Sequence, residues 1–389
     1  MKQFIEGSMA VSQSVKLCRP DVIAAYPITP QTHIVEFLAQ IVANGELKTE
    51  FINVESEFGA ASVVLGAAAV GTRAYSATTA QGLLLMAEVL YNIAGMRLPL
   101  VLTIANRAVS APINIWNDHS DAVVIRDAGL IMLFAEDAQE CMDIHPQAYK
   151  IAEHQEVSLP VTVNMDGFIL THCFEPVEML SQKQVDEFLP EFNPVVKLDV
   201  ENPVTLGCLA EPTWYMETRY KLQETMNDAK AIIEKTADEF KDLTGRYYGG
   251  LIDTYRMEDA ETAFVAMGSL VGTLKDVVDT LRAKGEKVGI LKIRSFRPFP
   301  HEKIREACAN LKQMVVFDKS YSLGLGTILQ EELRGCFYRQ KNQPIISGFV
   351  VGLGGRDIPP ESLINAYKKA QKGEILNEFV DLRLDVVGR

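Results

Sequence analysis

The chain has 389 residues, of which 48% are hydrophobic and 23% are charged, and its formal net charge is −13. This length allows about two to three domains, and the apolar content excludes global disorder because it can offset the entropy of the chain. The acidic balance of 51 Asp and Glu against 38 Lys and Arg disfavours nucleic acid and anionic membranes as partners.

The first part of the chain alternates short apolar runs with longer helical stretches. Six runs rich in apolar residues predict strands at residues 22–28, 51–54, 73–78, 100–105, 131–134 and 160–164. Nearly all-apolar strands separated by helices indicate an α/β fold with a mainly parallel sheet covered on both faces. Ligands bind such a sheet at the carboxyl ends of its strands, so the segments that follow the strands are the candidate sites.

A second α/β unit begins near Glu261. Its strands are predicted at residues 262–267, 288–293, 314–317 and 345–351, and its helices at 270–284, 301–311, 327–339 and 360–370. Between the two units, apolar residues from Met226 to Phe240 recur at helical spacing and predict one long amphipathic helix. We therefore expect two doubly wound domains, at residues 1–240, with the helical linker at its end, and at 255–389.

The first candidate site is the sequence Tyr26-Pro27-Ile28-Thr29-Pro30, which follows the first predicted strand. Pro27 removes a backbone donor and Pro30 biases Thr29 away from helical conformation. The Thr29 hydroxyl is thus held on a stiff turn at the edge where ligands bind. A strand end followed by a helix start, without a ligand, explains the same pattern.

The second candidate is an acidic residue at the start of a helix. In Val54-Glu55-Ser56-Glu57-Phe58-Gly59, Glu57 precedes a run of small and apolar residues. A partly desolvated carboxyl group at this position is suited to holding and donating a proton. An acidic residue stabilised by the positive helix N-terminus is the alternative, and Glu55 is the competing candidate.

The third candidate is Ala77-Thr78-Thr79-Ala80-Gln81-Gly82, again at the end of a predicted strand. Its small residues let another backbone or a flat ligand approach closely, and Thr79 or Gln81 is placed to hydrogen-bond to that ligand. A strand-to-helix turn capped by Thr78 or Thr79 is the alternative.

The fourth candidate is Arg107, within Asn106-Arg107-Ala108 just after an apolar strand. A guanidinium group there is suited to gripping a carboxylate with two parallel hydrogen bonds. An internal salt bridge to Asp118 or Asp121 is the alternative. His119 lies between these acidic residues, and its role and that of Asp118 stay open.

Several other functions are disfavoured by missing patterns. No apolar run reaches about 18 residues and the start of the chain has no signal-peptide core, so we expect a cytoplasmic protein without membrane contact. The six cysteines form no CxxC pair, and no paired ligand spacing predicts a metal site in this chain. The glycines of Gly324-Leu325-Gly326 are a weak dinucleotide pattern, and Gly352-Leu353-Gly354-Gly355-Arg356-Asp357 is expected to be a loop that docks a neighbour.

As an ordered set, these motifs resemble the alpha subunits of pyruvate:ferredoxin oxidoreductases (pyruvate synthases), within the 2-oxoacid:ferredoxin oxidoreductase family. The resemblance covers nearly the whole chain. It rests on residues 26–32, 55–57, 77–82, 106–108, 117–121, 294–300 and 352–357.

The resemblance implies a thiamine diphosphate enzyme in which this chain supplies a pyrimidine-binding domain and a transketolase C-terminal-like domain. Glu57 then matches the glutamate that hydrogen-bonds to N1′ of the aminopyrimidine. Thr29 and Arg107 match the residues that contact the carboxylate and carbonyl region of pyruvate. Other cofactor contacts are expected from three residues: Ile28, Thr79 and Gln81.

The resemblance also implies that other subunits complete the enzyme. The chain has Met165-Asp166-Gly167 without the preceding glycine of a GDG motif, so Mg²⁺ and the diphosphate are expected in a beta subunit. The [4Fe-4S] clusters are expected in a delta subunit and a further domain in a gamma subunit. The reaction would convert pyruvate and coenzyme A to acetyl-coenzyme A and CO₂ and reduce ferredoxin, reversibly.

Two alternatives remain from the sequence. Enzymes for branched-chain, aryl or oxalate substrates share the same plan, although Thr29 favours pyruvate over a dianionic substrate. A non-catalytic scaffold subunit of the same fold is the second alternative.

Overall fold

The computed structural model of the chain describes residues 1–388 and contains two α/β units joined side by side. The elements run in chain order as β1 (Lys2–Glu6), α1 (Gly7–Cys18), β2 (Val22–Ala25), α2 (Thr32–Ala43), β3 (Glu50–Asn53), α3 (Glu57–Ala69), β4 (Ala74–Thr78), α4 (Ala80–Gly95), β5 (Leu100–Asn106), α5 (Ser120–Val124), β6 (Ile131–Phe134), α6 (Ala138–Ala152), β7 (Pro160–Asp166), β8 (Phe174–Glu178), α7 (Gln182–Phe188), α8 (Pro212–Thr244), β9 (Ile252–Tyr255), β10 (Thr262–Ala266), α9 (Leu270–Arg282), β11 (Val288–Ile293), β12 (Ser295–Arg297), α10 (His301–Ala307), β13 (Gln313–Asp318), α11 (Ile328–Phe337), β14 (Ile345–Val350), α12 (Pro360–Ala370), β15 (Glu378–Phe379) and α13 (Leu384–Val387). The predicted α/β class is confirmed.

The first unit is built on a sheet with the strand order β12-β6-β7-β5-β4-β2-β3. All pairs in this sheet are parallel except β12 with β6. Strands β4 to β7 are buried at every position, whereas the edge strand β3 is largely exposed. The mainly apolar character of the central strands fits this burial, because helices cover both faces of the sheet.

The second unit is a smaller sheet with the order β15-β14-β13-β10-β11-β9, parallel except for β9 with β11. The long predicted helix is confirmed as α8, which ends at Thr244 and is followed by Gly245 with a φ of 75°. Glycine at this position ends the helix because the left-handed conformation carries no steric cost for it. Helix α8 packs against α6 and α7 and so belongs to the core of the first unit.

Two pairings were not predicted. The N-terminal strand β1 pairs antiparallel with β8, in a two-stranded sheet of its own. Strand β12 leaves the second unit and adds to the edge of the first sheet, beside β6. The predicted first strand at 22–28 ends at Ala25, and three residues later a turn is closed by hydrogen bonds between Ile28 and Gln31.

The two units are tied together by buried charges. The Glu140 carboxylate on α6 accepts hydrogen bonds from Lys292 Nζ at 2.6 Å and from Arg294 Nε at 2.8 Å, and all three side chains are buried. Charges buried this deeply are tolerated because each finds opposite partners. Within residues 1–388, no helix combines the length and the apolar character that crossing a bilayer needs.

Candidate active site

The site begins at the first residue of α3, where Glu57 lies buried with 7% of its surface exposed. The helix starts here because the Ser56 hydroxyl accepts a hydrogen bond from the Gly59 N–H at 3.1 Å and so caps the first turn. A carboxylate in this first turn is stabilised by the helix dipole. The competing candidate, Glu55, is exposed to solvent.

Gly82 on α4 forms the wall opposite Glu57. A Cβ atom at this glycine would lie 2.6 Å from Glu57 Oε1 and 2.6 Å from Thr78 Oγ1, so both polar groups face the same small space. Only a residue without a side chain lets helix α4 approach the carboxylate this closely. The glycine of the third motif is therefore explained by Glu57.

Polar atoms beside Glu57 are buried without a partner. Thr78 Oγ1 and both amide atoms of Gln81 make no hydrogen bond among residues 1–388. Leaving a buried polar group unpaired costs about 1–3 kcal/mol, so such groups usually have a partner. Three unpaired atoms on one turn next to a buried carboxylate are suited to a flat, polar ligand such as an aminopyrimidine.

A second group of predicted residues, Thr29 and Arg107, is brought together by a direct contact. Arg107 Nη1 donates to the Thr29 carbonyl at 2.9 Å, and Nε donates to the Asn114 carbonyl at 2.9 Å. Its Nη2 makes no hydrogen bond to any residue that the structure describes. The pKa of the guanidinium is lowered by burial, an effect that nearby Asp121 opposes.

The alternative interpretation of Arg107 as one half of a salt bridge is wrong. The guanidinium bonds to carbonyl oxygens, and within the described residues it forms no ion pair with Asp118 or Asp121. Instead the backbone N–H of Arg107 donates to Asp121 Oδ2 at 3.0 Å. The guanidinium is thus bonded to no carboxylate of the described residues.

Asp121, which the sequence offered only as a salt-bridge partner of Arg107, connects the two groups of predicted residues. Its Oδ2 atom accepts from the N–H groups of Ala80 and Arg107, both at 3.0 Å, and Oδ1 accepts from Asn106 Nδ2 at 3.0 Å. Burial raises the pKa of Asp121 to about 6, although these hydrogen bonds oppose the shift. This one carboxylate joins the turn next to Glu57 to the strand end that carries Arg107.

The remaining predicted cofactor contacts have local partners. The Thr79 hydroxyl is buried and donates to the Ala105 carbonyl, and it does not cap α4. The Ile28 N–H donates to the Gln31 side chain at 3.2 Å, inside the turn that presents Thr29. Both residues shape the strand ends at the site, and their contact with a cofactor stays a prediction.

His119 and Asp118 have structural partners. His119 Nε2 lies 2.7 Å from Asp166 Oδ1, and Lys319 of the second unit lies 2.9 Å from the other oxygen. Burial raises the pKa of Asp166, but Lys319 and His119 outweigh it and hold the value well below its usual range. Asp118 accepts from Ser120 and from the Gly354 N–H. Across residues 1–388, no group of three or more potential ligands is placed to hold a metal ion.

The α/β fold, together with the family matches that follow, places the chain in a class of proteins with a thiamine diphosphate-binding domain. Residues 13–238 match the family described as "Pyruvate flavodoxin/ferredoxin oxidoreductase, thiamine diP-bdg", and residues 260–363 match "Pyruvate:ferredoxin oxidoreductase core domain II". Together these matches cover most of the chain. The chain belongs to the pyruvate:ferredoxin oxidoreductase family.

Curated relatives of the same length support this assignment. Pyruvate synthase subunit PorA of Methanosarcina barkeri is 54% identical, over 98% of this chain and 97% of that protein. Ketoisovalerate oxidoreductase subunit VorA of Pyrococcus horikoshii is 44% identical, over 92% of this chain and 90% of that protein. The relatives thus include subunits of enzymes for two different 2-oxoacids.

Solved structures agree with the fold. A 2-oxoglutarate:ferredoxin oxidoreductase from Magnetococcus marinus, with 2-oxoglutarate, coenzyme A and succinyl-CoA bound, superposes with a TM-score of 0.71 and 18% identity, covering 95% of this chain and 65% of that one. A split-gene transketolase, described as an inactive beta4 tetramer, gives a TM-score of 0.55 and 14% identity, covering 95% and 99%. At these identities the likeness concerns the fold alone.

Proposed function

We propose that the chain is the alpha subunit of a pyruvate:ferredoxin oxidoreductase and that it holds the aminopyrimidine ring of thiamine diphosphate against Glu57. The observation that carries this proposal is the buried Glu57 carboxyl group beside the unpaired atoms of Thr78 and Gln81. These groups match the donors and acceptors on the edge of an aminopyrimidine. The family match to a thiamine diphosphate-binding domain supports the same ligand.

When bound, thiamine diphosphate supplies a nucleophilic carbon that adds to the substrate carbonyl and takes up the electrons left as CO₂ departs. Glu57 holds a proton at the ring nitrogen that it contacts, and its burial keeps water from competing for that proton. The unpaired Gln81 amide is suited to orient the ring through its other polar edge. Gly82 leaves the space that the ring edge requires.

Arg107 and Thr29 are proposed to bind the substrate. Two nitrogens of the guanidinium are anchored on carbonyls, so the remaining Nη2 is directed by a rigid frame. Such a frame orients a carboxylate at low entropic cost. The exposed Thr29 residue, whose carbonyl accepts from Arg107, is placed to offer its hydroxyl to the same substrate.

Pyruvate is the proposed substrate, with ferredoxin as electron acceptor and coenzyme A as acyl acceptor. The balanced reaction converts pyruvate, coenzyme A and two oxidised ferredoxins to acetyl-coenzyme A, CO₂, two reduced ferredoxins and a proton. The relative named as a ketoisovalerate oxidoreductase subunit makes a branched-chain 2-oxoacid the second candidate. A panel of 2-oxoacids at equal concentration distinguishes them through kcat/KM.

Beta, gamma and delta subunits are proposed to complete the enzyme, with Mg²⁺ and the diphosphate on the beta subunit and the [4Fe-4S] clusters on the delta subunit. Helices α3 and α4 support the beta contact. Their exposed surface includes the apolar residues Phe58 on α3, Val70 directly after α3, and Leu85 and Tyr91 on α4. An apolar surface of this kind marks a protein interface. We expect the complex in the cytoplasm.

The test is ferredoxin reduction by the assembled complex at saturating thiamine diphosphate. Glu57→Gln keeps the shape of the side chain but cannot share a proton, so we expect the pyruvate-dependent rate to fall about 100-fold or more. The matched control is Glu55→Gln, which alters an exposed neighbour and should leave the rate within a factor of about two. An unchanged rate for the Glu57 variant would contradict the proposal and leave the scaffold alternative.

A further inference from the structure

The segment that carries Arg107 has no regular secondary structure of its own. We name residues 107–119 the arginine loop; it runs from the end of β5 to the start of α5. The guanidinium is held from within this loop, because Arg107 Nε donates to the Asn114 carbonyl at 2.9 Å. The position of the guanidinium therefore depends on the path that the loop takes through Asn114.

The second unit grips this loop through residues 352–355, which we name the glycine turn. Asn114 Nδ2 donates to the Gly354 carbonyl at 3.0 Å, and the Gly355 N–H donates to the Asn117 carbonyl at 2.7 Å. The Gly354 N–H donates to Asp118 Oδ2 at 3.2 Å. Three hydrogen bonds thus connect the second unit to the loop that holds Arg107.

The glycines of this turn are required by conformation and by space. Gly354 and Gly355 have φ values of 60° and 80°, in the left-handed region that other residues rarely adopt. A Cβ atom on Gly354 would lie 2.5 Å from Asn114 Nδ2, and one on Gly355 would overlap the Cβ atom of Trp116. Any side chain on Gly355 therefore has to push the arginine loop away.

We infer that the glycine turn of the second unit is a positioning device for Arg107. Asn114 is the link, since its carbonyl accepts from Arg107 and its amide donates to Gly354. This inference rests on the proposed role of Arg107 in binding the substrate carboxylate. It gives the second unit, which lies apart from Glu57 in the chain, a defined part in substrate binding.

We expect the loss of this positioning to affect the KM for pyruvate more than kcat. The substrate carboxylate is lost as neutral CO₂, so its contact with Arg107 is stronger in the bound substrate than in the transition state of decarboxylation. Displacing Arg107 should therefore raise the KM for pyruvate more than it lowers kcat. The affinities for coenzyme A and thiamine diphosphate should not change.

The test uses the assembled complex with Gly355→Ala. We expect the KM for pyruvate and the inhibition constant of oxamate, an unreactive carboxylate analogue, to rise together about tenfold or more, with kcat within a factor of about three. Gly324→Ala is the matched control, because Gly324 has a φ of 84° but nothing within 4 Å of its Cβ position. It carries the same backbone strain without a contact and should leave both constants unchanged.

Two further variants make the outcome decisive. Asn114→Ala removes the link without backbone strain and should reproduce the rise in KM, so it decides the matter if the Gly355 variant fails to assemble. Arg107→Ala tests the underlying role of the arginine. A raised KM for the Arg107 variant with normal constants for the Gly355 and Asn114 variants would overturn the positioning inference alone. An unchanged KM for the Arg107 variant would instead overturn the proposed carboxylate contact.

Discussion

Asp121 shows how one buried side chain can set two parts of a site at once. Its carboxylate accepts hydrogen bonds from the N–H groups of Ala80 and Arg107, which follow the ends of the neighbouring strands β4 and β5. Ala80 has a φ of 41°, a strained conformation for a residue with a side chain. The hydrogen bond to Asp121 helps to hold that strain, which is typical of functional sites.

The binding of pyruvate should depend on the protonation state of Asp121. Ionised Asp121 can accept all of its hydrogen bonds, whereas protonation turns one oxygen into a donor that faces an N–H group. Because its pKa is raised to about 6, the KM for pyruvate should rise as the pH falls through about 6. Burial is the main cause of the raised pKa of Asp121, and the nearby Asp118 adds to it.

Asp121→Asn tests this prediction through the pH profile of the KM. The variant amide faces N–H donors at every pH, at a cost of about 1–3 kcal/mol, so the KM should be high at pH 7.5 and flat between pH 5.5 and 8. Asp127→Asn is the control, since Asp127 is largely exposed, at 67% of its side chain. If the KM of the Asp121 variant still rose at low pH as it does in the unsubstituted enzyme, another group would be responsible for that titration.

The same residues show what the sequence can predict. Glu57 could be identified as a candidate because the residues next to it predict that a helix starts there. The unpaired state of Thr78 and Gln81 could not, because it depends on which side chains fold against them. The alternative of a salt bridge at Arg107 was wrong for the same reason, because its guanidinium donates to the carbonyls of Asn114 and Thr29 instead.

At the scale of elements, helix α3 is unusual in having no charged residue on its exposed side, which consists of Phe58, Ser62 and Gly66. It carries Glu57 as its only charged residue and leaves Phe58 41% exposed. Surface helices normally have a polar outer face. The composition of α3 is therefore better explained by an interface than by solvent.

Gly66 in the middle of α3 allows a test of that interface. Nothing lies within 4 Å of its Cβ position, so Gly66→Lys fits the isolated chain and improves helix propensity. We expect the variant chain to keep its melting temperature but to lose association with the beta subunit in size-exclusion chromatography. The lysine would place a charge in an apolar contact.

Gly335→Lys is the matched control, because Gly335 is an exposed helix residue of the second unit that also has nothing within 4 Å. It should assemble normally. If the Gly66 variant also co-eluted with the beta subunit at wild-type yield, the interface would have to lie elsewhere.

Elements with local signals were predicted well. The strands β6 and β11 have the predicted bounds, because each is an apolar run that ends at turn residues or a change of pattern. The β1–β8 pair was missed because Lys2 pairs with Glu178, far away in sequence. Strand β12 has only three residues and is defined by its partner β6.

At the scale of the whole molecule, buried charges join the two units into one framework. Arg294 is fully buried and donates to Glu140, to the Gly250 carbonyl and to Gln147. Removing one partner from such a buried cluster typically costs about 3–5 kcal/mol. The buried cluster of Glu140, Lys292 and Arg294, together with the glycine turn, holds the second unit against the arginine loop.

This framework supplies one half of the proposed catalytic centre. The carboxyl group of Glu57 lies at the edge of the surface on α3 and α4 that we assign to the beta subunit. We expect the cofactor to cross this boundary, with its ring on this chain and its diphosphate on another.

The most direct measurement is an electron cryo-microscopy structure of the assembled complex with thiamine diphosphate bound. We predict that a Glu57 carboxyl oxygen lies about 2.6–3.2 Å from a pyrimidine nitrogen and that the beta subunit holds the diphosphate. A pyrimidine ring away from Glu57, or a diphosphate bound by this chain, would contradict it.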